Sequence, residues 1–483
     1  MSSVYDKYEI VVGLEVHAQL STKSKMYCSD DATFGGSPNS NISPITLGHP
    51  GTLPVVNKNA IEYAIKMGLA TNCKINEYNG FARKNYFYAD LPKGYQITQD
   101  KTPICTEGFV EIEVNGVKKN IGVTRIHMEE DAGKSMHDID PYNSLIDLNR
   151  AGVPLVEIVS EPDIRSAEEA YQYLAEIRKL VRYLGICDGN MEEGSMRCDA
   201  NVSVRLKGVE KLGQRCEVKN MNSLRNVMRA IEHEAKRQID IIEAGGEIEQ
   251  QTRSFNAADG TTFTLRSKED AHDYRYFPEP DLPIVIVDEK QVNYVKTLMP
   301  KLPKELYAIY TKDLGLSDYD AKVIADDKAI ADYFNALTKE TKNYKAAANW
   351  LMGPIKSYLN EQAITIEQYP LNPSVIVKVI ALIDEGKLNF ASASQVLLPA
   401  LLENPTKAPS ALAESLNIIQ NSDASEIETI IDEVLAAFPD KVAEYKAGKT
   451  GLQGMFMGQV MKRSKGKADP KVANQILSKK LNS

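Results

Sequence analysis

One segment near the start of the chain carries ionisable side chains in a regular alternation. In residues 9–20 every even position is apolar, and the odd positions include Glu15, His17 and Gln19. A period of two predicts a β-strand with Glu15 and His17 on one face, about 7 Å apart. Taken alone, the pattern favours a half-buried strand whose polar face meets solvent.

Two later segments repeat this alternation with charges of both signs. Residues 196–206 place Arg197 and Asp199 on the polar face of a predicted strand, and residues 215–219 add Lys219 on a predicted neighbour. A solvent-facing sheet would more often carry Thr, Lys and Gln with little pattern. The density of opposite charges therefore favours a sheet surface that binds an anionic ligand and a metal ion.

Further carboxylates cluster in two other segments. His127 is followed by Glu129, Glu130 and Asp131, and the imperfect alternation there leaves open which acid points inward. Glu157 lies in another apolar segment. Carboxylates with one His suit Mg²⁺ that bridges phosphate oxygens. They suit zinc less well, because zinc sites rely on Cys and His.

Several nucleotide-binding and hydrolase motifs are missing. Residues 133–135 and 448–450 resemble the end of a Walker A loop, but its first glycine is replaced by Met128 and Ala443. ATP would therefore bind without a P-loop. The chain also lacks a GxSxG elbow and a catalytic Cys signature, which argues against unaided hydrolase chemistry.

A basic and aromatic segment follows the first predicted strand. Arg83 and Lys84 stand next to Tyr86, Phe87 and Tyr88. Such segments stack a base or hold phosphate, although an ordinary strand edge is the more frequent explanation of the pattern.

Charge is distributed unevenly along the 483 residues. The net charge is −9, yet residues 441–483 hold ten Lys and Arg against two acids, a net of +8, which leaves −17 for the rest. The basic side chains bunch at Lys462, Arg463, Lys465 and Lys467. Such a run of basic residues is often only a solvent-exposed face. Because the rest of the chain is acidic, contact of these residues with an RNA backbone is an equal alternative.

Composition points to an ordinary globular protein, with 43% hydrophobic and 25% charged residues. The six cysteines form no CxxC pair, which is typical of thiols in a reducing compartment. The first residues lack the features of a signal peptide, and no stretch reaches 18 apolar residues. We therefore expect a cytoplasmic protein without a membrane span.

The elements that would position these residues suggest an α+β chain of three domains. Residues 1–297 are predicted to combine strands with two helices, one opening at a capping box of Ser166 and Glu169 and one covering about 223–245. Residues 298–405 and 406–483 are predicted to be a helical domain and a small all-α tail domain, separated by Pro-containing breaks.

The motifs that carry these residues resemble the GatB family, the B subunits of bacterial and organellar tRNA-dependent amidotransferases. They occur in order along the whole chain as VGLEVHAQL, FGGSPNSN, RKNYFYADLPKGYQITQ, HMEEDAGKS, LNRAGVPLVEIVSEPDIRS, EEGSMRCDANVSVR, EVKNMNS, DYRYFPEPDLP, NWLMG and GQVMKRSKGKADP. So many long motifs in one order make the resemblance highly specific.

This resemblance implies a fold, an activity and partners. The fold is an antiparallel-sheet "cradle" domain like that of glutamine synthetase, followed by a helical domain and a tail that contacts tRNA. The activity is ATP- and Mg²⁺-dependent phosphorylation of the side-chain carboxylate of Glu-tRNA(Gln) or Asp-tRNA(Asn). An A subunit with glutaminase activity supplies the ammonia that displaces phosphate, and a C subunit completes a heterotrimer.

The resemblance also implies roles for individual residues. The implied magnesium ligands are Glu15, His17, Glu130 and Glu157. The implied catalytic residues are Lys84, Arg197, Asp199 and Glu130. We assign nucleotide binding to Lys84, Arg197 and Lys219. Because a carboxylate is a poor electrophile, such a site must position the phosphoryl group and neutralise its charge.

One departure from the family concerns zinc. Many members bind zinc through four cysteines near the amino terminus, and here the matching positions are Cys28, Asp30, Ser43 and Thr46. With three of four thiolates replaced, we predict that the chain binds no zinc.

Two other function classes remain open. A free-standing carboxylate–amine ligase would act on free glutamate without residues 410–483. A non-catalytic RNA-binding scaffold would bind tRNA in a salt-dependent way without phosphoryl transfer. The sequence does not decide between Glu-tRNA(Gln) and Asp-tRNA(Asn).

Overall fold

The computed structural model describes residues 4–137, 139–267, 274–420, 424–464 and 467–482. The chain divides into two compact units, Met1–Leu302 and Pro303–Ser483. The first unit combines strands and helices, and the described part of the second is helical. The predicted α+β class, with a largely antiparallel sheet and a helical C-terminal region, is therefore confirmed. The finer division into 1–297, 298–405 and 406–483 stays a prediction.

The strands of the described ranges all belong to the first unit. They are β1 (Tyr8–Gln19), β2 (Lys74–Ile75), β3 (Tyr78–Asn79), β4 (Ala82–Asn85), β5 (Tyr95–Thr98), β6 (Cys105–Val114), β7 (Val117–Glu130), β8 (Lys134–Met136), β9 (Leu145–Asp147), β10 (Pro154–Ser160), β11 (Met196–Leu206), β12 (Cys216–Lys219), β13 (Gln251–Asn256), β14 (Thr261–Ser267), β15 (Arg275–Pro278) and β16 (Val285–Ile286). The helices of this unit are α1 (Lys58–Ala70), α2 (Ala167–Tyr183), α3 (Leu224–Glu243) and α4 (Glu289–Thr297), after a short 3₁₀ turn at Val4–Lys7.

A nine-stranded sheet forms the centre of the first unit. Its order is β14-β13-β12-β11-β1-β10-β7-β6-β2, and its neighbours are antiparallel except β12 and β13. The long strand β1 lies between β10 and β11. The predicted pairing of the segments 196–206 and 215–219 is confirmed, because β11 pairs with β12 in antiparallel register.

The apolar face of this sheet builds the core with α2 and α3. Leu14 and Val16 of β1 are fully buried, together with Tyr173 and Ile177 of α2 and Ile231 of α3. Burying one such aliphatic side chain contributes about 1.5–3 kcal/mol. Because successive strand residues point to opposite faces, this burial sends the odd residues of β1 to the other side of the sheet.

Both predicted helices of this unit form, and each begins after a serine cap. Ser166 Oγ accepts a hydrogen bond from Glu169 N at 3.1 Å, and Ser223 Oγ accepts one from Asn226 N at 3.1 Å. The Glu169 carboxylate returns to Arg165 N at 2.8 Å, one residue before the cap. The expected capping box is therefore present in a shifted form.

A small three-stranded sheet of order β15-β4-β5 docks on the end of β7. Ile97 N donates to Glu130 Oε1 at 2.9 Å, and Gln96 Nε2 donates to the Glu130 carbonyl at 2.6 Å. Lys93, just before β5, forms an ion pair with the same carboxylate. These contacts fix Lys84, at the centre of the small sheet, against the large sheet.

The described residues of the second unit form helices, with two π-helical turns at Leu351–Ile355 and Ala393–Leu397 and a 3₁₀ turn at Ile366–Gln368. Its helices are α5 (Pro303–Lys312), α6 (Asp318–Asp326), α7 (Lys328–Glu340), α8 (Tyr344–Trp350), α9 (Lys356–Gln362), α10 (Pro373–Asp384), α11 (Phe390–Ser392), α12 (Leu398–Glu403), α13 (Pro409–Ser415), α14 (Ala424–Ala437), α15 (Pro439–Lys446), α16 (Leu452–Arg463) and α17 (Pro470–Asn482).

The last helices of this unit share an apolar cluster. Ile431 of α14, Phe456 and Val460 of α16 and Leu477 of α17 are fully buried within it. Among the helices of the described ranges, none has the length and apolar character that a membrane crossing requires.

Candidate active site

A row of ionisable side chains crosses four strands on the polar face of the large sheet. Glu157 of β10 pairs in register with His127 of β7 on one side and with His17 of β1 on the other. His17 pairs in turn with Arg197 of β11. Because directly opposed residues of an antiparallel pair have Cβ atoms about 4.5–5.5 Å apart, the register alone brings these four side chains together.

The first acidic cluster consists of His17, Glu129 and Glu157, whose ligand-type atoms lie within 4.8 Å of one another. His17 Nε2 is 3.3 Å from Glu157 Oε2 and 3.9 Å from Glu129 Oε1. His127 Nε2 lies 3.2 Å from the same Glu157 oxygen. Two imidazoles therefore converge on one carboxylate, beside a second carboxylate.

Charge and burial compete within this cluster. Burial disfavours the charged form of His17, but the hydrogen bond with Glu157 and the charge of Glu129 outweigh it and raise the pKa of His17 to about 9. Burial alone would raise the pKa of Glu157, yet the neighbouring imidazoles of His127 and His17 hold it well below its ordinary value. The cluster thus stabilises an ionised carboxylate inside the protein.

The second acidic cluster consists of Glu15, Asp199 and Glu217. Lys219 Nζ lies 2.5 Å from Asp199 Oδ2 and 2.8 Å from Glu217 Oε1. Asn201 Nδ2 donates to Glu15 Oε1 at 2.8 Å. Burial, together with nearby carboxylates that include Glu217 and Asp199, raises the pKa of Glu15. Burial opposes the charge of Lys219, but Asp199 and Glu217 raise its pKa above the ordinary value.

A cavity of about 610 Å³ opens above this face. Three of its lining side chains, Lys84, Arg197 and Lys219, are cationic, and His17 and Asp199 reach it from the two clusters. The further lining residues are Tyr86, Gln96, Glu129, Asp131, Ala132, Leu155, Met191, Cys198, Asn220, Met221, Asn222 and Ala257. A concave site with convergent ionisable groups is the expected form of an active site.

Arg197 is held in place by Asp131. Arg197 Nη2 donates to Asp131 Oδ2 at 2.8 Å, and Gln19 Nε2 donates to the same oxygen at 2.7 Å. Burial would raise the pKa of Asp131, but Arg197 and Arg150 lower it below its ordinary value. The guanidinium is therefore positioned by a charge-assisted hydrogen bond.

The structure brings the predicted catalytic, nucleotide-binding and metal-binding residues together, with one exception. Lys84, Arg197, Asp199 and Lys219 share the cavity with His17. Glu157 joins His17 in the first cluster and Glu15 joins Asp199 in the second, so three of the four predicted magnesium ligands divide between two clusters.

Glu130 is the exception. Its carboxylate contacts Lys93 and Ile97, and Glu129 supplies the acid beside His17 and Glu157. The physical reason is the alternation of β7, which turns Glu129 to the same face as His127 and turns Glu130 the opposite way.

Sequence reasoning missed the roles of His127, Glu129 and Asp131. A signal existed for the first two, because His127 and Glu129 are two residues apart and therefore share a strand face. Nothing in the spacing indicated that β7 would lie beside β10, which is what places His127 opposite Glu157.

Side-chain hydrogen bonds link three of the four positions that match the family's zinc cysteines. Cys28 Sγ lies 3.5 Å from Thr46 Oγ1, which donates to Asp30 Oδ2. One thiol, one carboxylate and two hydroxyls are a poor donor set for zinc, which prefers Cys and His.

The predicted RNA-binding residues lie near the end of the second unit. Lys462 and Arg463 are the last residues of α16, and Arg463 Nη1 lies 3.2 Å from Glu433 Oε2. Lys467 Nζ donates to Asn417 Oδ1 at 2.9 Å. Lys465 lies outside the described residues.

Comparison with known proteins places the chain in a family. Residues 10–293 match the GatB/GatE catalytic domain, and residues 332–481 match the GatB domain. A protein of Syntrophotalea carbinolica is 50% identical over 98% of this chain and 99% of its own length. One of Trichodesmium erythraeum is 49% identical over 99% and 98%, respectively, and one of Geobacter sulfurreducens is 50% identical over 98% and 99%. All three are named as the B subunit of an aspartyl/glutamyl-tRNA(Asn/Gln) amidotransferase. The chain therefore belongs to the GatB family.

Proposed function

We propose that the chain is the B subunit of a tRNA-dependent amidotransferase and works in the cytoplasm. It phosphorylates the side-chain carboxylate of Glu-tRNA(Gln), Asp-tRNA(Asn) or both, and the activated carboxyl is then amidated. An A subunit that releases ammonia from glutamine and a C subunit complete the complex. The near full-length identity to proteins that are named as this B subunit supports the proposal.

The observation that carries the proposal is the row His127–Glu157–His17–Arg197 beneath a cavity that Lys84 and Lys219 also line. Phosphoryl transfer requires positioning and neutralisation of phosphate charge rather than a protein nucleophile. Cations from three separate strands converge on the cavity, and a hydrolase motif is absent from the sequence. This combination fits a nucleotide-dependent ligase better than a hydrolase.

The first cluster fits a hard divalent cation. His17, Glu129 and Glu157 would hold Mg²⁺, and Glu15 and Asp199 of the second cluster are the next available carboxylates. When bound, Mg²⁺ neutralises charge on the phosphate oxygens. Glu130, for which the family resemblance also implies metal binding and catalysis, would act from the opposite strand face by fixing β5.

The cavity residues have distinct tasks in the proposed reaction. Lys84, Arg197 and Lys219 would bind phosphate oxygens of ATP, while Asp199 holds Lys219 in place. Transfer of the γ-phosphoryl group to the substrate carboxylate breaks the bond to the β-phosphate oxygen and releases ADP. The ammonia nitrogen then bonds to the acyl carbon, loses a proton, and phosphate leaves as the C–O bond breaks.

Three finer features belong to the same proposal. The first unit would be a cradle related to glutamine synthetase, and residues 406–483 would bind tRNA through Lys462, Arg463, Lys465 and Lys467. The Cys28 site would bind no zinc, which its hydrogen bonds to Thr46 and the replacement of three thiols support.

The proposal is tested with the chain purified in complex with its A and C subunits. We expect ATP-dependent conversion of Glu-tRNA(Gln) or Asp-tRNA(Asn) to the amidated product in the presence of glutamine and Mg²⁺. Turnover of free glutamate by this chain alone, unaffected by deletion of residues 410–483, would instead identify a free-standing ligase. Salt-sensitive tRNA binding without ATP consumption would identify a scaffold.

A further inference from the structure

Lys84 differs from the other cations of the cavity in what surrounds its ammonium group. Lys219 is paired with Asp199 and Glu217, and Arg197 with Asp131. None of the ion pairs found among the described residues includes Lys84. Instead, Lys84 Nζ lies 4.7 Å from the centre of the Tyr274 ring and 5.9 Å from that of Tyr86.

We propose that Tyr274 and Tyr86 are positioning residues that form an aromatic cage around the Lys84 ammonium group, so that its N–H donors stay directed to phosphate oxygens. The proposal rests on the proposed function, because it deepens the part that Lys84 plays there. It assigns a role to Tyr274, which belongs to the sequence motif DYRYFPEPDLP and which the proposed reaction does not otherwise use.

The geometry of the two rings is that of a cage. The Tyr86 and Tyr274 ring centres are 5.5 Å apart with an interplanar angle of 66°, and Tyr88 packs edge-on against Tyr86 at 5.6 Å. A cation within about 6 Å of a ring centre is attracted by the electron density of the ring face. Two rings set at an angle to each other therefore restrict the lysine side chain from two directions.

Strand pairing and side-chain hydrogen bonds both hold the two rings of the cage in place. Tyr274 directly precedes β15, whose Tyr276 lies opposite Lys84 in the antiparallel pair with β4. Tyr86 Oη donates to Gln96 Oε1 at 3.2 Å, and Gln96 in turn donates to the Glu130 carbonyl. The position of Lys84 is thus coupled to the end of β7, where the first acidic cluster lies.

Lys84 keeps its positive charge although its side chain is partly buried. Burial lowers the pKa of Lys84, but Glu129, Tyr276 and Glu157 outweigh it and raise the pKa above the ordinary lysine value. Neutral rings attract a cation without neutralising it, whereas a carboxylate at hydrogen-bond distance occupies its donors. Lys84 therefore has more N–H donors available for an anionic ligand than Lys219, whose ammonium group is already paired with Asp199 and Glu217.

A double-mutant cycle in the complex with the A and C subunits tests the cage. Tyr274→Leu is expected to lower kcat/KM for ATP about 10-fold, because a desolvated cation–π contact is worth about one such factor. Tyr274→Phe keeps the ring and is expected to restore the activity to within about threefold. In a Lys84→Met background, Tyr274→Leu is expected to change the residual activity by less than about twofold.

A control variant, a binding measurement and a second pair of variants complete the test. Tyr142→Leu, at an exposed position of the same unit, is the matched control and should leave the activity unchanged. Binding of a fluorescent ATP analogue to the same variants separates the cage from the proposed reaction: a loss in affinity for Tyr274→Leu but not for Tyr274→Phe supports the cage even if no amidation is found. Tyr86→Leu against Tyr86→Phe repeats the comparison if Tyr274→Leu fails to fold.

Two outcomes would overturn the proposal. One is full activity and nucleotide affinity for both leucine variants. The other is an equal loss with and without Lys84, because an equal loss would mean that the rings act through packing alone.

Discussion

The two acidic clusters of the sheet differ in what balances their negative charge. In the first, the carboxylates of Glu129 and Glu157 lie beside the imidazole of His17. In the second, Lys219 is bound directly to two of the three carboxylates. Because its pKa is raised to about 9, His17 is protonated near neutral pH, and it becomes a metal ligand when it loses that proton. A lysine ammonium has no comparable ligand form near neutral pH and competes with a metal for the same oxygens. The difference teaches that a similar number of acids creates a strong metal site only where the side chain that balances their charge can itself become a metal ligand.

The largest expected effect is at the carboxylate that both histidines approach. Glu157→Gln removes the central charge of the first cluster, and a metal contribution of about 4 kcal/mol corresponds to about 10³-fold in amidation rate. The rate with Glu-tRNA(Gln) as substrate measures this loss, and Mn²⁺ binding followed by electron paramagnetic resonance should weaken in parallel. Retention of both properties would place the metal elsewhere.

Two adjacent acids of β7 sharpen the comparison. Glu129→Gln is expected to lower the amidation rate about 10²-fold, because it removes a cluster carboxylate without changing the fold. Glu130→Gln should instead lower the free energy of unfolding by about 3 kcal/mol, because it removes the buried half of an ion pair and leaves the half-buried Lys93 without its partner.

Thermal unfolding and Mn²⁺ binding of the two variants separate these effects. If Glu130→Gln weakened Mn²⁺ binding more than Glu129→Gln, the sequence-based assignment of Glu130 to the metal site would be correct.

A smaller effect is expected at the imidazole that touches Glu157 from β7. His127→Asn removes a group that orients a proposed metal ligand, and such groups contribute about 10- to 100-fold in metal affinity. Mn²⁺ titration of the variant checks the value. His137→Asn, at the exposed position after β8, is the control and should bind Mn²⁺ as the parent chain does.

The smallest effect is expected in the second cluster, and it has the opposite sign. Lys219→Met removes the cation that pairs with Asp199 and Glu217, so these carboxylates should gain affinity for Mn²⁺, by roughly 10-fold if about 1.4 kcal/mol of competition is relieved. The measurement uses the nucleotide-free chain, because Lys219 is also a proposed nucleotide contact. Unchanged Mn²⁺ stoichiometry at high concentration would refute the competition argument.

The sequence predicted those parts of the fold that follow from local rules. Alternation in residues 9–20 and 196–206 predicted β1 and β11 to within about a residue, and Ser166 and Ser223 marked both helix starts. Each of these signals is contained in a few neighbouring residues, where a period of two or a cap has a direct physical cause.

The parts that the sequence did not predict depend on contacts between distant segments. The place of His127 beside Glu157 depends on the register of β7 and β10, and the cage around Lys84 depends on Tyr274, which lies 190 residues further along the chain. The spacing from His127 favours Glu129 over Glu130 on one strand face, but only the pairing of β7 with β10 shows that this face meets Glu157 and His17.

The central position of β1 makes the site intolerant to a shift in register. Its polar residues alternate with core residues such as Leu14 and Val16, so inserting one residue before Glu15 would turn Glu15 and His17 into the core and bring their apolar neighbours to the cavity. Since β1 pairs with β10 and β11 on both sides, no sheet edge could absorb such an insertion. Insertions and deletions in this protein should therefore accumulate in its connecting loops, while β1, which supplies His17, keeps a fixed length.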